Sequence, residues 1–369
     1  MPEDDELVER VRLAMVPGIG PRLAQALLAR FGTASAIFAA SRDELCLVEG
    51  IGAKLSAAIV AARSEIDAAE EVALARRSGI TLLARERPNY PRTLLEIPDP
   101  PSVLYVHGEL LPEDSLAIAI VGSRHATQYG LQLAERFAAS LARAGLTIIS
   151  GLARGIDGAA HRGALSAGGR TLAVLGSGLL NIYPPEHREL AADVARSGAV
   201  LSELPLRVKP LAGTFPQRNR LISGMSLGVL VVEASVQSGA LITARHAGEQ
   251  GRDVFAIPGR VDNRLSHGCH RLIRDGAKLV ETPDDVLEEL GPLVAPTPAA
   301  DGRVIHHPAE LKLNDLERKV LDAIGTGQST IDEVVRACEM PTAQVLAITS
   351  ALEIRRLVRR LGGNTITRV

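Results

Sequence analysis

The chain has 369 residues, 46% hydrophobic and 23% charged, with a formal net charge of −2, which excludes a disordered chain and a disulfide scaffold and suggests two or three folded domains. Five Phe, four Tyr and no Trp make the core aliphatic, so an aromatic side chain outside it is informative. The near-neutral total conceals a local imbalance: residues 203–278 carry eleven Lys/Arg against six Asp/Glu, and residues 1–80 carry nine against twelve, which puts a positive field in the middle of the chain.

Cys46, Cys269 and Cys338 are widely separated and odd in number, so they read as reduced thiols. His306 and His307 lack partners at metal-ligand spacing, and neither a metal nor a cofactor is expected. The acidic N-terminus lacks an apolar signal region and no apolar run reaches the length of a membrane span, so a cytoplasmic protein without a membrane partner is expected.

Residues 1–79 read as a helical domain with an internal repeat. Val16-Pro17-Gly18-Ile19-Gly20-Pro21-Arg22-Leu23 recurs 32 residues later as Val48-Glu49-Gly50-Ile51-Gly52-Ala53-Lys54-Leu55. Each copy joins two helical patterns through glycines, the sequence form of a helix-hairpin-helix. Such a pair can face phosphates with helix N-termini or serve only as a docking module, and the segment's charge does not decide.

Residues 80–290 read as one domain. The proline-rich stretch to Leu111 is a lead-in with one short strand at Val103–Val106. The apolar runs Ala117–Val121, Leu146–Ile149, Leu172–Leu175, Ala199–Ser202, Val229–Val232 and Val254–Ile257, with Lys278–Val280 as a short edge, alternate with helical patterns. This predicts an α/β, Rossmann-like, mostly parallel sheet covered on both faces. Residues 291–309 form a proline-rich linker. Residues 310–369, with three helical patterns and a hairpin turning at Gly362-Gly363, suggest a winged helix that binds duplex DNA or a protein, the nine Lys/Arg against seven Asp/Glu from Leu311 onward leaving the choice open.

Ligands of an open parallel sheet bind beyond the carboxyl ends of the strands. Gly122-Ser123-Arg124 follows the first apolar run, and Ser150-Gly151-Leu152-Ala153-Arg154-Gly155 follows the second, with Asp157 suited to cap the next helix. Phe215-Pro216-Gln217-Arg218-Asn219-Arg220 sets an aromatic ring among cations and an amide, with Lys209 nearby, the combination that single-stranded nucleic acid uses. Ser238-Gly239-Ala240 and Pro258-Gly259-Arg260 complete a set of small-residue loops. No nucleophile and base stand together: Ser238 has no His partner and Glu233 is a lone carboxylate. A binding protein is therefore expected rather than an enzyme, the alternative being a nucleotide-processing, phosphoribohydrolase-like enzyme in which Glu233 and Arg218 act.

These runs, together with Tyr183-Pro184-Pro185-Glu186-His187, Leu201-Ser202-Glu203, Val231-Val232-Glu233-Ala234 and Gly251–Gly259, resemble in order the DprA (Smf) family of DNA-processing proteins. The resemblance implies a Rossmann-like core that binds and protects single-stranded DNA in natural transformation, loads the RecA recombinase and forms a homodimer. It implies that Gly122, Ser123, Arg124, Arg154, Phe215, Arg218, Asn219, Arg220, Ser238 and Gly239 line the DNA pocket, to which Gly151 and Lys209 are added from their places beside it. Ala212 stands where the family often has a lysine.

Overall fold

The computed structural model describes residues 2–290, 297–298, 304–325, 327–361 and 364–369. The chain divides into two compact units, Met1–Leu279 and Val280–Val369.

The first unit begins with helices α1 (Pro2–Met15), α2 (Pro21–Phe31), α3 (Ala34–Ala39), α4 (Arg42–Cys46), α5 (Ala53–Glu65) and α6 (Ala68–Arg77). The repeated glycines do what the repeat requires. Gly18 and Gly50 have φ of 89° and 86°, a region L side chains avoid, and Gly20 and Gly52 are the N-caps of α2 and α5. The copies pack reciprocally: a Cβ on Gly18 would lie 2.9 Å from Leu55 Cδ2, and one on Gly50 would lie 2.9 Å from Leu23 Cδ2. Their apolar side chains form a core of their own, including Leu27, Ile37, Leu45 and Ile59. Helices α1 and α6 instead bury Val11, Val72 and Ala75 against the sheet residues Val103, Tyr105 and Val200.

The sheet follows, with β1 (Ile80–Ala84), α7 (Arg92–Leu95), β2 (Val103–Gly108), β3 (Ala117–Val121), α8 (Gln128–Arg143), β4 (Thr147–Ser150), α9 (Ile156–Ser166), β5 (Thr171–Val174), α10 (Arg188–Ser197) and β6 (Ala199–Ser202). It continues through α11 (Thr214–Gly224), β7 (Gly228–Val231), α12 (Ala240–Glu249), β8 (Asp253–Ala256), α13 (His267–Arg274) and β9 (Lys278–Leu279). The order is β1-β2-β6-β5-β4-β3-β7-β8-β9, parallel from β6 to β9, with β2 antiparallel to both β6 and β1. The predicted strands are present to within a residue or two. The stretch expected to hold one strand holds two, because β1 pairs with β2 as the sheet's outer ribbon.

Alternate residues separate to the two faces. Leu172, Val174, Val229 and Val231 meet Leu221 and Ile222 of α11 and Ala240, Ala244 and Ala247 of α12. Ala173 and Val200 meet the α1, α6 and α10 side. Because the chain leaves β3 toward β4, β5 and β6 but places β7, β8 and β9 on the other side, the loops after β3 and β7 diverge and open a crevice between them.

The second unit contains α14 (Pro283–Glu289), a two-residue antiparallel pair of β10 (Thr297–Pro298) and β11 (Val304–Ile305), then α15 (Asp315–Ile324), β12 (Gln328–Thr330), α16 (Ile331–Cys338), α17 (Thr342–Ile354), β13 (Val358–Leu361) and β14 (Thr365–Arg368). Asn314 and Thr330 open α15 and α16 as capping boxes with Glu317 and Glu333. Strand β14 lies between β12 and β13, giving three helices and a small sheet, the winged-helix arrangement. Most of the expected linker 291–309, and the hairpin turn at Gly362-Gly363, lie outside the described residues. Among the described residues no helix is long and apolar enough to cross a membrane.

Candidate functional site

A cavity of about 680 Å³ occupies the crevice at the carboxyl edge of β3 and β7. Its walls come from the β3 loop (Gly122, Ser123, Arg124, His125), the start of α11 (Phe215, Arg218, Asn219) and the turn into α12 (Ser238, Gly239, Thr243). Segments far apart in sequence converge there because each follows a strand of one parallel sheet.

The β3 loop is fixed from below. A Cβ on Gly122 would lie 2.5 Å from Ile156 Cγ1 and 2.9 Å from the Glu233 carbonyl, so only glycine lets the three segments approach. Ser123 N donates to the Glu233 carbonyl at 2.7 Å, and His125 N donates to Ser123 Oγ at 3.1 Å. The Glu233 carboxylate accepts from Thr127 Oγ1 at 2.6 Å and Thr127 N at 2.8 Å, while Thr127 caps α8. Glu233 is thus an anchor for the loop that exposes Arg124.

On the opposite wall, the ring of Phe215 is half-buried. It lies against Gly176, where a Cβ would be 2.8 Å from Phe215 Cδ1. The guanidinium of Arg124 lies 5.1 Å from the centroid of this ring, and the Tyr183 ring lies 5.7 Å away, tilted by 50°. Arg154 stacks on Tyr183 at 5.8 Å and pairs with Glu186. Two cations and two aromatic rings therefore form one continuous row, Arg124, Phe215, Tyr183, Arg154. Its inner side is a recess lined also by Gly151 and Ala153.

Arg218 is only 4% exposed. Its Nη1 donates to the Gly151 carbonyl at 2.8 Å and to the Val174 carbonyl, and burial beside Arg124 pulls its pKa down to about 10. Asp157, buried next to it at the floor of the cavity, is pushed up by burial, against the pull of Arg218. Asn219 Nδ2 donates to the Gly239 carbonyl at 3.3 Å, joining α11 to the α12 turn. Ser238 Oγ accepts from Ala240 N at 3.3 Å, and Gly239 faces open space.

Gly122, Ser123, Arg124, Phe215, Arg218, Asn219, Ser238 and Gly239 line the cavity, and Gly151 and Arg154 line the adjoining recess. Arg220 does not line either. It is buried in ion pairs with Glu203 and, at 3.4 Å, with Asp99. Residues 214–224 are a helix, so Arg218 and Asn219 lie about 60° and 40° from Phe215 around the axis while Arg220 lies about 140° away. Lys209 is exposed but stands outside the lining, where Pro210 and Ala212 contribute instead. Tyr183 and His125 were not anticipated as lining residues. Tyr183 is one of four tyrosines, and that scarcity was the available signal.

Comparison with known proteins matches residues 81–291 to the DNA recombination-mediator protein A family, 11–65 to the SAM-like helix-hairpin-helix tandem and 305–364 to the DprA winged helix domain. Protein Smf of Synechocystis is 36% identical over 91% of this chain and 89% of its own length. DNA processing protein DprA of Streptococcus pneumoniae is 46% identical over 54% of this chain and 71% of its own length. Among solved structures, DprA of Streptococcus pneumoniae superposes with a TM-score of 0.67 at 36% identity, covering 76% of this chain and 96% of that one. DNA processing protein A of Helicobacter pylori, solved for its single-stranded DNA binding mode, superposes with a TM-score of 0.51 at 31% identity, covering 56% and 93%. With core, paired hairpins and winged helix each matched in chain order, this protein belongs to the DNA recombination-mediator protein A family, that of the DprA and Smf proteins.

Proposed function

We propose that the crevice between the β3 and β7 loops binds single-stranded DNA, holding the backbone with Arg124, Arg154 and loop amides and stacking bases on Phe215 and Tyr183. The observation that carries this reading is the continuous row of two adjacent aromatic rings flanked by two cations, Arg124, Phe215, Tyr183 and Arg154. A mononucleotide enzyme needs one closed pocket, whereas a strand needs repeated stacking faces beside repeated charges. The single-strand binding of the Helicobacter pylori relative supports the same ligand.

We further propose a binding role without catalysis. The carboxylates near the cavity already have structural work: Glu233 holds Thr127, and Asp157 lies against Arg218 and accepts from Ala153 N at 3.3 Å. Delivery of the bound strand to the RecA recombinase, protection of DNA entering in natural transformation, and pairing of two cores into a homodimer in the cytoplasm complete the proposal and rest on family membership.

The test is a fluorescence-anisotropy titration of a labelled oligothymidylate with the full chain. Unlabelled single strand displaces the label, while duplex of equal length and nucleoside monophosphates do not. Displacement by monophosphates, with release of free base, would instead establish the phosphoribohydrolase-like enzyme.

A further inference from the structure

We propose that Arg218, together with Asp157, is a positioning residue for the single strand and not one of its phosphate ligands: the pair holds the Ser150–Gly155 turn in the shape that presents Arg154. This rests on the crevice being the single-strand site.

The turn needs holding. Leu152 has φ of 56°, a left-handed conformation unusual for leucine, and it is fully buried, while Gly155 has φ of 75°. Such a backbone persists where its surroundings over-determine it. Three side chains from three segments fasten three successive residues. Arg218 Nη1 donates to the Gly151 carbonyl at 2.8 Å, His187 Nδ1 donates to the Leu152 carbonyl at 2.9 Å, and Ala153 N donates to Asp157 Oδ2 at 3.3 Å.

Arg218 also donates to the carbonyl of Val174, tying the turn to the end of β5, and its Nε is 3.3 Å from Asn219 Oδ1. The fit leaves no slack, since a Cβ on Gly151 would lie 2.6 Å from Nη1 and Nη2. The guanidinium therefore faces protein carbonyls and Asp157, with little surface left for a phosphate. Arg124 and Arg154 differ: Arg124 is exposed and Arg154 is about half exposed on the edge of the turn. Lysine cannot replace this role, because a single ammonium lacks the planar fork in which Nη1 meets both carbonyls while Nε, at a fixed distance from it, meets Asn219 Oδ1.

The experiment is a double-mutant cycle in the full-length protein with the labelled oligothymidylate, measured over a salt series. Arg154→Ala should weaken binding about tenfold and flatten the salt dependence by about one phosphate contact. Arg218→Lys, which keeps the charge, should do the same, and the double variant should be no weaker than the worse single variant. Hydrogen exchange of amides 151–156 should accelerate in Arg218→Lys while the sheet amides keep their protection. Where Arg218→Lys does not fold, Asp157→Asn enters the cycle in its place with the same expectation. Effects that multiply in the double variant, or an Arg218→Lys that binds as the parent does, overturn the proposal. Arg124→Ala and Phe215→Ala separate the two claims. If both bind as the parent does, the crevice reading itself fails; if both lose affinity while the cycle is multiplicative, only the positioning role fails.

Discussion

The guanidinium of Arg124 lies over the ring of Phe215, 5.1 Å from its centroid, although the two residues stand ninety-one positions apart, one in the loop after β3 and the other in the first turn of α11. The loop after β3 and the first turn of α11, which follows β6, bring them together at the carboxyl edge of the sheet. Packed against Gly176 and beneath Arg124, the half-buried ring keeps part of a face open to the crevice, where a base can stack.

Phe215→Ala removes that face. Base stacking on an aromatic contributes about 1–3 kcal/mol, so single-strand affinity should fall roughly tenfold to a hundredfold, and the salt dependence should not change. Parallel titrations at several salt concentrations check both parts.

Arg124→Ala should behave differently, because an exposed cation acts on the phosphate backbone. Affinity should fall, and the slope of log affinity against log salt should become shallower by about 0.7, the contribution of one single-strand phosphate. A loss of affinity at unchanged slope would show that Arg124 acts on bases instead.

Arg220→Ala should damage stability and leave the site intact. The substitution strands Glu203, whose carboxyl burial already pushes upward, and removes the partner of Asp99. Breaking a buried pair costs about 3–5 kcal/mol. Chemical denaturation should register that loss, while single-strand affinity per folded molecule, from active-site-counted titrations, stays within about twofold of the parent.

His161 makes the fold acid-sensitive. Thr171 Oγ1 donates its proton to the Ile148 carbonyl at 2.7 Å, so it accepts from His161 Nδ1, also at 2.7 Å, and the neutral ring leaves Nε2 buried without a partner. Protonation would bury a charge there, and burial holds the pKa down to about 3. The unfolded chain, with an ordinary histidine near 6.5, binds more protons between these values. Stability should therefore be complete above about pH 6.5 and fall as pH drops toward 3, by up to roughly 1.4 kcal/mol per pH unit from this group. Denaturant midpoints against pH, for the parent and His161→Leu, test this: the variant should show a shallower decline.

Much of the fold was legible because strands such as Ala117–Val121, Thr171–Val174 and Gly228–Val231 are buried on both faces and read as short apolar runs. Ile80–Ala84 was missed for the same reason inverted: it is an edge strand beside a proline-rich stretch, with only part of its length buried. The cavity loops were legible because glycines and hydroxyls recur after each strand. What could not be read was direction. Arg218 and Arg220 look equivalent in the string, yet the helix turns Arg220 away from the cavity to meet Glu203 and sinks Arg218 beneath it. Tyr183 reaches Phe215 only through the sheet's three-dimensional order.

The most direct measurement of where the strand lies is photocrosslinking of oligothymidylate substituted with 5-iodouracil, which reports bases stacked on aromatic side chains, followed by mapping of the linked peptides. Crosslinks at Phe215 and Tyr183, lost on competition with unlabelled single strand, are the predicted result. Crosslinks confined to the N-terminal hairpins or to the winged helix, with none at these two rings, would contradict it.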